Sequence, residues 1–359
     1  MFFKAVFLLV GTTIGAGFFA LPYVFSLSGP TISIIGLIVL TAVTLTLNLF
    51  YTRTILKTKG DHQLPGYAKH WLGKKGKKLA LLAITLSTSG ALFAYVILGG
   101  NFLSLYFNHE PSIYHSLLFF LLGSVFILRG IRSISKIEEY LTLILIILAV
   151  GIPLSGIKSF QIENLKIVPI SKLAFYGPVL FSLSGLAVIP EIEETLRKKR
   201  HLLSRAVALG TIIPAVVYLI FGLGVFLISG AATTVDALSG LIVWSPRLVK
   251  IGALVGILAT FTSFLSLGNV LKEVFYRDLK MAPKTAVNLA LLSPFLAVFA
   301  STGWFLKIIS LTGSITIGLT GIVVCLVSLK ANGERAWQKV VLYLISIFLI
   351  AGMTTAFWR

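Results

Sequence analysis

Residues 11–22 read GTTIGAGFFALP: three glycines, two threonines and a proline inside a stretch otherwise apolar enough to lie in lipid. Glycine and proline weaken a helix, and the bilayer penalises unpaired backbone more than water does. A second stretch of this kind, FSLSGLAVIP, occupies 181–190. Where a helix opens, its bare N–H groups suit a carboxylate and its bare C=O groups suit an ammonium or Na⁺. A zwitterionic amino acid carries both charges about 3 Å apart, a separation set by bond lengths. Two openings face to face match that chemistry. The plainer alternative, that the glycines only let helices approach closely, stands beside it.

The elements that must position these residues are membrane spans. The chain has 359 residues, 57% of them hydrophobic and 12% charged, with mean hydropathy +0.98. A soluble domain carries about twice that charged fraction. Apolar runs of about 18 or more residues, enough to cross roughly 30 Å of hydrocarbon, recur along the whole length. The fold class is therefore all-α integral membrane, one transporter-like domain over 1–359. Hydropathy places eleven helices at 3–27, 31–56, 79–107, 113–130, 137–157, 174–196, 205–230, 249–277, 283–301, 304–329 and 336–357. The first run passes into the second without a cleavage site and reads as a retained helix.

Charge gives orientation. With the N terminus inside, 24 of the 31 Lys and Arg residues fall in cytoplasmic segments and 7 outside, as the positive-inside rule requires. The N terminus is expected in the cytoplasm and the C terminus outside, in the cell (inner) membrane. The net charge of +19 faces anionic lipid, and its dispersal between spans excludes nucleic acid as a partner. The densest patch, KHWLGKKGKK (69–78), reads as a solvated loop. Cys325 is the single cysteine, and the five histidines lack metal-ligand spacing.

GFFALP at 17–22 and GLAVIP at 185–190 are separated by 168 residues, and the same offset lays GNFLSLYF (100–107) on GNVLKEVF (268–275). Five helices of the first part then fall on five of the second. The chain reads as a five-plus-five duplication, repeat one about 1–168 and repeat two about 169–335, with an eleventh helix over 336–359. Five being odd, the halves cross the membrane in opposite senses. Inverted repeats with interrupted helices at matched positions mark secondary transporters. Helices one and six are thus expected to open near mid-membrane, at Gly11, Gly15 and Gly17 and at 181–190.

GTTIGAGFFALP resembles the first-helix signature of the bacterial aromatic amino acid permeases, the tyrosine- and tryptophan-specific transporters of the amino acid/polyamine/organocation superfamily. TSFLSLGNVL (262–271) and VIPEIEETLRKKRHLLSRAVALGTIIP (188–214) extend the resemblance over most of the chain. It implies eleven helices, a LeuT-type fold and amino acid transport coupled to an ion gradient. GNVLKEVF stands where those permeases show a Gly-Leu-Phe-Asp run, so the implied substrate is an amino acid, aromatic or otherwise neutral, without a named side chain. By the same resemblance, the amides of Ile14, Gly15, Ala16 and Gly17 take the substrate carboxylate. Groups around Phe181, Ser182 and Ser184 take the amine, with Phe181 as a lid. Tyr95 falls on Ser263 through the repeat and either lines the cavity or packs between helices. Thr262 and Ser263, with backbone oxygens of Gly11, Ile14 and Ala259, match a Na⁺ site of five hard oxygens. The alternative is that the two hydroxyls bond back to their own helix. A second Na⁺ site is not expected, because Phe18 stands where two-sodium members place asparagine and 205–230 contains no Asn. Proton coupling is the rival, with Glu191 as the protonatable group or, alternatively, a cytoplasmic gate carboxylate paired to Arg or Lys.

No cofactor is expected beyond a coupling Na⁺ or H⁺, and no metal site. The partners implied are an amino acid and membrane lipid, with no obligate protein partner evident. An uncoupled exchanger or facilitator is the alternative function. An intramembrane enzyme is disfavoured, since no H-E-x-x-H or G-x-S-x-G motif occurs and the spans hold almost no charge. A channel would need rings of matched polar residues, and metal transporters of this fold use first-helix Asp or Asn with a sixth-helix Met, which these segments lack.

Overall fold

The computed structural model describes residues 1–60, 62–129, 135–331 and 335–357, and every regular element among them is helical. Arg132 and Arg359, counted above for orientation, lie outside the described residues. α1 (Phe2–Thr13) and α2 (Ala16–Ser28) form two arms bent by 53° about Ile14 and Gly15. Ile14 N–H still reaches Val10 O at 2.8 Å, but Gly15 N–H turns back to Thr13 O at 2.9 Å. That ends the i→i−4 ladder. Gly11 stays inside α1, so the opening is narrower than the three glycines suggest. Pro22 sits within α2.

Gly29, at φ 74, turns the chain directly into α3 (Pro30–Lys57). α4 (Leu64–Phe107) is bent at Gly73, whose φ of 73 and ψ of −160 no helix adopts. The basic patch at 69–78 is therefore helical on both sides of an elbow, a correction to the loop reading; its lysines are good helix formers once a glycine makes the turn. α5 (Ile113–Leu128) and α6 (Ser135–Ser155) follow. α7 (Tyr176–Ser182) and α8 (Ile189–Thr195) are separated by 183–185 and a 3₁₀ turn, Leu186–Val188. Pro190 lies in the first turn of α8, where a missing N–H is harmless. Matched in sequence, Pro22 and Pro190 therefore play different structural parts.

α9 (Leu203–Ser229) and α10 (Pro246–Glu273) come next, α10 running on through a π turn, Val274–Asp278. α11 (Pro283–Ala297) precedes α12 (Trp304–Leu311), which a π stretch, Thr312–Ile317, joins to α13 (Gly318–Ala331); α14 (Ala336–Thr354) is last. Each hydropathy segment falls on one helix or one broken pair. Among the described residues, six helical stretches are long and apolar enough to span alone, with α12 to α13 counted as one, and the bent pair α1–α2 makes a seventh if taken as one span. α5, with 16 residues, and α11, with 15, are shorter than the apolar runs suggested.

α4 packs along α10, and α9 lies against α1, α2 and α3. Lipid tails are as apolar as leucine, so helix association here depends on close packing more than on burial. The contacts fit that demand. An added Cβ on Gly256 would lie 2.5 Å from the Phe102 ring, and one on Gly123 would lie 2.5 Å from Phe264. Phe18 stacks on Phe221 with ring centres 4.0 Å apart, while Phe19 meets Phe102 edge-on at 4.5 Å. Outside, Ile35 and Ile38 of α3, Leu121 and Leu122 of α5 and Leu344 and Ile347 of α14 are exposed. Water would make such faces aggregate, whereas acyl chains solvate them.

Candidate functional site

The two openings abut. A Cβ on Gly17 would lie 2.4 Å from Ser182 Oγ and 2.7 Å from Phe181 Cδ1; one on Gly185 would lie 2.5 Å from Thr13 Oγ1 and from Leu9 Cδ1. The glycine of each opening is the seat for a residue of the other. Positions 17 and 185 are 168 apart, as are 13 and 181, so the contact of Gly17 with Phe181 recurs as Gly185 with Thr13. Tyr95 and Ser263, also 168 apart, come together at a single glycine. Both close on Gly15, where a Cβ would meet Tyr95 Oη at 2.7 Å and Ser263 Oγ at 3.2 Å. Reciprocal contacts of this kind are what a two-fold relation produces.

Helices that end inside a protein leave their last carbonyls seeking donors. Tyr218 of α9, wholly buried, directs its hydroxyl to Thr13 O at 2.6 Å and to Ser182 O at 2.8 Å. One shared proton thus ties the last residue of α1 and the last residue of α7 to the same helix. Ser182 Oγ turns back to Pro178 O at 2.8 Å. At the contact of Gly17 with Ser182, the N-terminal end of α2 meets the C-terminal end of α7. Their partial charges are opposite in sign.

A cavity opens beside the second break. It has a volume of about 60 Å³, enough for a few waters. Phe181, Ser184 and Gly185 supply one wall, Thr12 comes from α1, Thr44 and Asn48 from α3, Thr88 and Tyr95 from α4, and Thr320 from α13. Among the described residues, no Asp, Glu, Lys, Arg or His lines it. Of the residues singled out in the sequence, Tyr95, Phe181 and Ser184 face this space. Ile14, Gly15, Ala16, Gly17 and Ser182 are buried but are not among its lining. They sit behind its wall, with Tyr95 and Ser263 packed over Gly15.

Ser263 Oγ crosses to Gly11 O at 3.4 Å, and Thr262 Oγ1 turns back to Ala259 O at 3.1 Å. Gly11, Ala259, Thr262 and Ser263 therefore share one seam between α1 and α10, with Ile14 at the end of α1. Thr262 follows the plainer of the two readings, and Ser263 links the helices. No group of three His, Cys, Asp or Glu able to hold a metal occurs among the described residues.

Glu191 is half-buried in the first turn of α8. The deeper carboxylate is Glu193, 3% exposed and ion-paired to Arg200. Glu194 lies 3.9 Å from Arg277, which pairs with Glu273 at 2.5 Å. The far end of α8 is thereby linked to the π turn that follows α10. Two residues along a helix is a turn of about 200°, so neighbouring glutamates meet different surroundings. Sequence inspection passed over Glu193 for that reason. It also passed over Tyr218, although a tyrosine in an apolar span signals a hydroxyl in need of a partner, and over Asn48 and the π stretch.

Residues 1–347 match the tryptophan/tyrosine permease family. The chain is similar to glutamine transporter 2 of Aliivibrio fischeri (strain ATCC 700601 / ES114), at 28% identity over 232 residues, covering 61% of this chain and 59% of that protein. It is also similar to tyrosine-specific transport system 1 of Haemophilus influenzae (strain ATCC 51907 / DSM 11121 / KW20 / Rd), at 24% identity over 223 residues, covering 60% and 55%. The matched region spans less than two thirds of the length of either relative. Among solved structures, the fold is similar to that of MhsT in complex with L-phenylalanine, with a TM-score of 0.72 across 99% of this chain and 97% of that one at 15% identity. The fold is thus the LeuT type, as the sequence resemblance implies. Family and relatives are transporters and not enzymes. A match running almost from end to end of the sequence settles the kinship: the chain belongs to the tryptophan/tyrosine permease family.

Proposed function

We propose that the protein is a secondary active transporter of neutral amino acids, working by ion-coupled symport with alternating access. It lies in the inner membrane, with its N terminus in the cytoplasm and its C terminus outside. One observation carries this reading: two interlocked helix openings, Gly17 on Ser182 and Gly185 on Thr13, border a small, mostly apolar cavity that holds several hydroxyls and an amide and, among the described residues, no charged side chain. A charged substrate side chain would lose its water there and find no counter-charge. Glutamine and tyrosine, for which the two relatives are named, are both uncharged at the side chain. The reciprocal contacts across 168 residues support two inverted repeats, about 1–168 and 169–335, followed by the helix of 336–359.

In this reading the amides of Ile14, Gly15, Ala16 and Gly17 take the carboxylate, and Phe181, Ser182 and Ser184 provide the carbonyl and hydroxyl oxygens for the ammonium. The amides lie behind Tyr95, so the arrangement is a closed member of the transport cycle and Tyr95 withdraws when substrate enters. The seam of Gly11, Ile14, Ala259, Thr262 and Ser263 takes the coupling Na⁺; a proton carried by Glu191 is the other coupling. An uncoupled exchanger is the second reading, favoured by the bond of Thr262 to its own helix.

The test is uptake into proteoliposomes with Na⁺ and pH gradients imposed separately. Acceleration of neutral amino acid uptake by one gradient is the expected result. Counterflow that neither gradient accelerates selects the exchanger. Absence of uptake and of counterflow for all twenty amino acids overturns both.

A further inference from the structure

Two residues that line the cavity each carry a buried oxygen with no hydrogen-bond partner among the described residues: Thr44 Oγ1 and Asn48 Oδ1. Asn48 is 1% exposed and Thr44 6%. They stand four residues apart on α3 and so share one face of it. Buried polar groups are almost always paired, and an exception calls for an explanation.

The neighbours of Asn48 fix which end of its amide is left over. Asn48 Nδ2 donates to Thr211 Oγ1 at 3.0 Å, and Thr211 Oγ1 donates its own proton to Val207 O at 2.9 Å. With that proton committed, Thr211 can only accept from Asn48, so the amide NH₂ must face it. The unpaired end is the carbonyl oxygen, which only an N–H or O–H can satisfy. Thr44 Oγ1, one turn away, can accept or donate. Among the described residues no charged one lines the cavity, so an ammonium or guanidinium donor would bring an unbalanced charge.

We propose that Asn48 and Thr44 form the subsite for the substrate's side chain. The preferred amino acids then carry a neutral hydrogen-bond donor there, an amide or a hydroxyl. The inference rests on the amino acid transport reading above and adds the substrate class to it. A pocket built to hydrogen-bond a group rejects analogues that lack it far more strongly than an apolar pocket rejects a missing methylene.

The test is equilibrium binding to the purified full chain of two matched pairs, L-glutamine with L-norleucine and L-threonine with L-valine. In the wild type the donor-bearing member of at least one pair is expected to bind tenfold or more tightly than its partner. Asn48→Leu brings that ratio to about one, weakening the donor-bearing ligand while the apolar one still binds, and the retained binding shows that the variant folds. Thr44→Val lowers the ratio in the same direction and carries the test if Asn48→Leu does not fold. A wild type that binds amino acids with no preference within either pair overturns the inference and leaves the transport reading standing. So does a preference that survives both substitutions, as expected if only water meets these oxygens. A wild type that binds none of the twenty amino acids removes both together.

Discussion

A single hydroxyl, that of Tyr218, holds the carbonyl ends of two half-helices drawn from distant parts of the chain. In lipid, water cannot readily replace a lost donor. Tyr218→Phe keeps the ring on its Phe18 neighbour and strips the proton from Thr13 O and Ser182 O, at a cost of about 1–3 kcal/mol for each stranded group. A lower melting temperature in detergent and weaker amino acid binding are the expected outcomes; an unchanged melting curve would falsify the bridging role. The sequence displayed the motif glycines and hydroxyls openly, because their types are unusual in an apolar span. It hid the partners, because a tyrosine like Tyr218 looks the same whether it bonds one carbonyl, two or none. The same limit applies to Ser182, whose residue type does not show that its hydroxyl turns back to Pro178 O.

At the scale of the element, the openings work because nothing occupies the Cβ positions of Gly17 and Gly185. Gly17→Ala places a methyl 2.4 Å from Ser182 Oγ, and backbone lies close behind it. We expect near-complete loss of uptake at normal expression, measured by transport and by membrane immunoblot. Gly151, with no atom within 4 Å of an added Cβ, should accept alanine with uptake unchanged and serves as the control. The short arm α8 depends on its ion pairs. Arg200→Ala leaves Glu193, 3% exposed, without its cation. Since Arg200 is itself about half in solvent, the expected loss is about 1–3 kcal/mol, read as a drop in melting temperature that Glu193→Gln in the same chain reverses. Glycine and proline placement pointed to 11–22 and 181–190, and within those stretches the chain leaves the α-helix at 14–15 and at 183–188. The exact opening was not legible: Gly11 stays within α1, while Gly15 lies against Tyr95 and Ser263, partners from other helices that the local sequence does not reveal.

For the whole molecule, the counts of Lys and Arg assign each loop to a side, and cysteine accessibility checks the assignment. Cys325 is buried, so Cys325→Ser should give a silent background. Lys75 and Arg247 are both exposed. In intact cells an impermeant maleimide is expected to label R247C and to miss K75C, and permeabilised cells should label both. The reverse pattern inverts the proposed orientation. Fold class and the placing of the spans were readable here because hydropathy is a property of long windows, insensitive to any one contact. The elbow at Gly73 was not, since a basic loop and a basic helix have the same composition.

The mutual seating of the half-helices has a mechanical consequence. Gly17 receives Ser182 while Gly185 receives Thr13, so the joint is a dovetail, and neither tongue slides free without baring the groove of the other. In the transport cycle proposed above, a tilt that starts at one arm would be handed to its counterpart through the joint. On the same proposal, a leak past the joint would need both tongues loose at once.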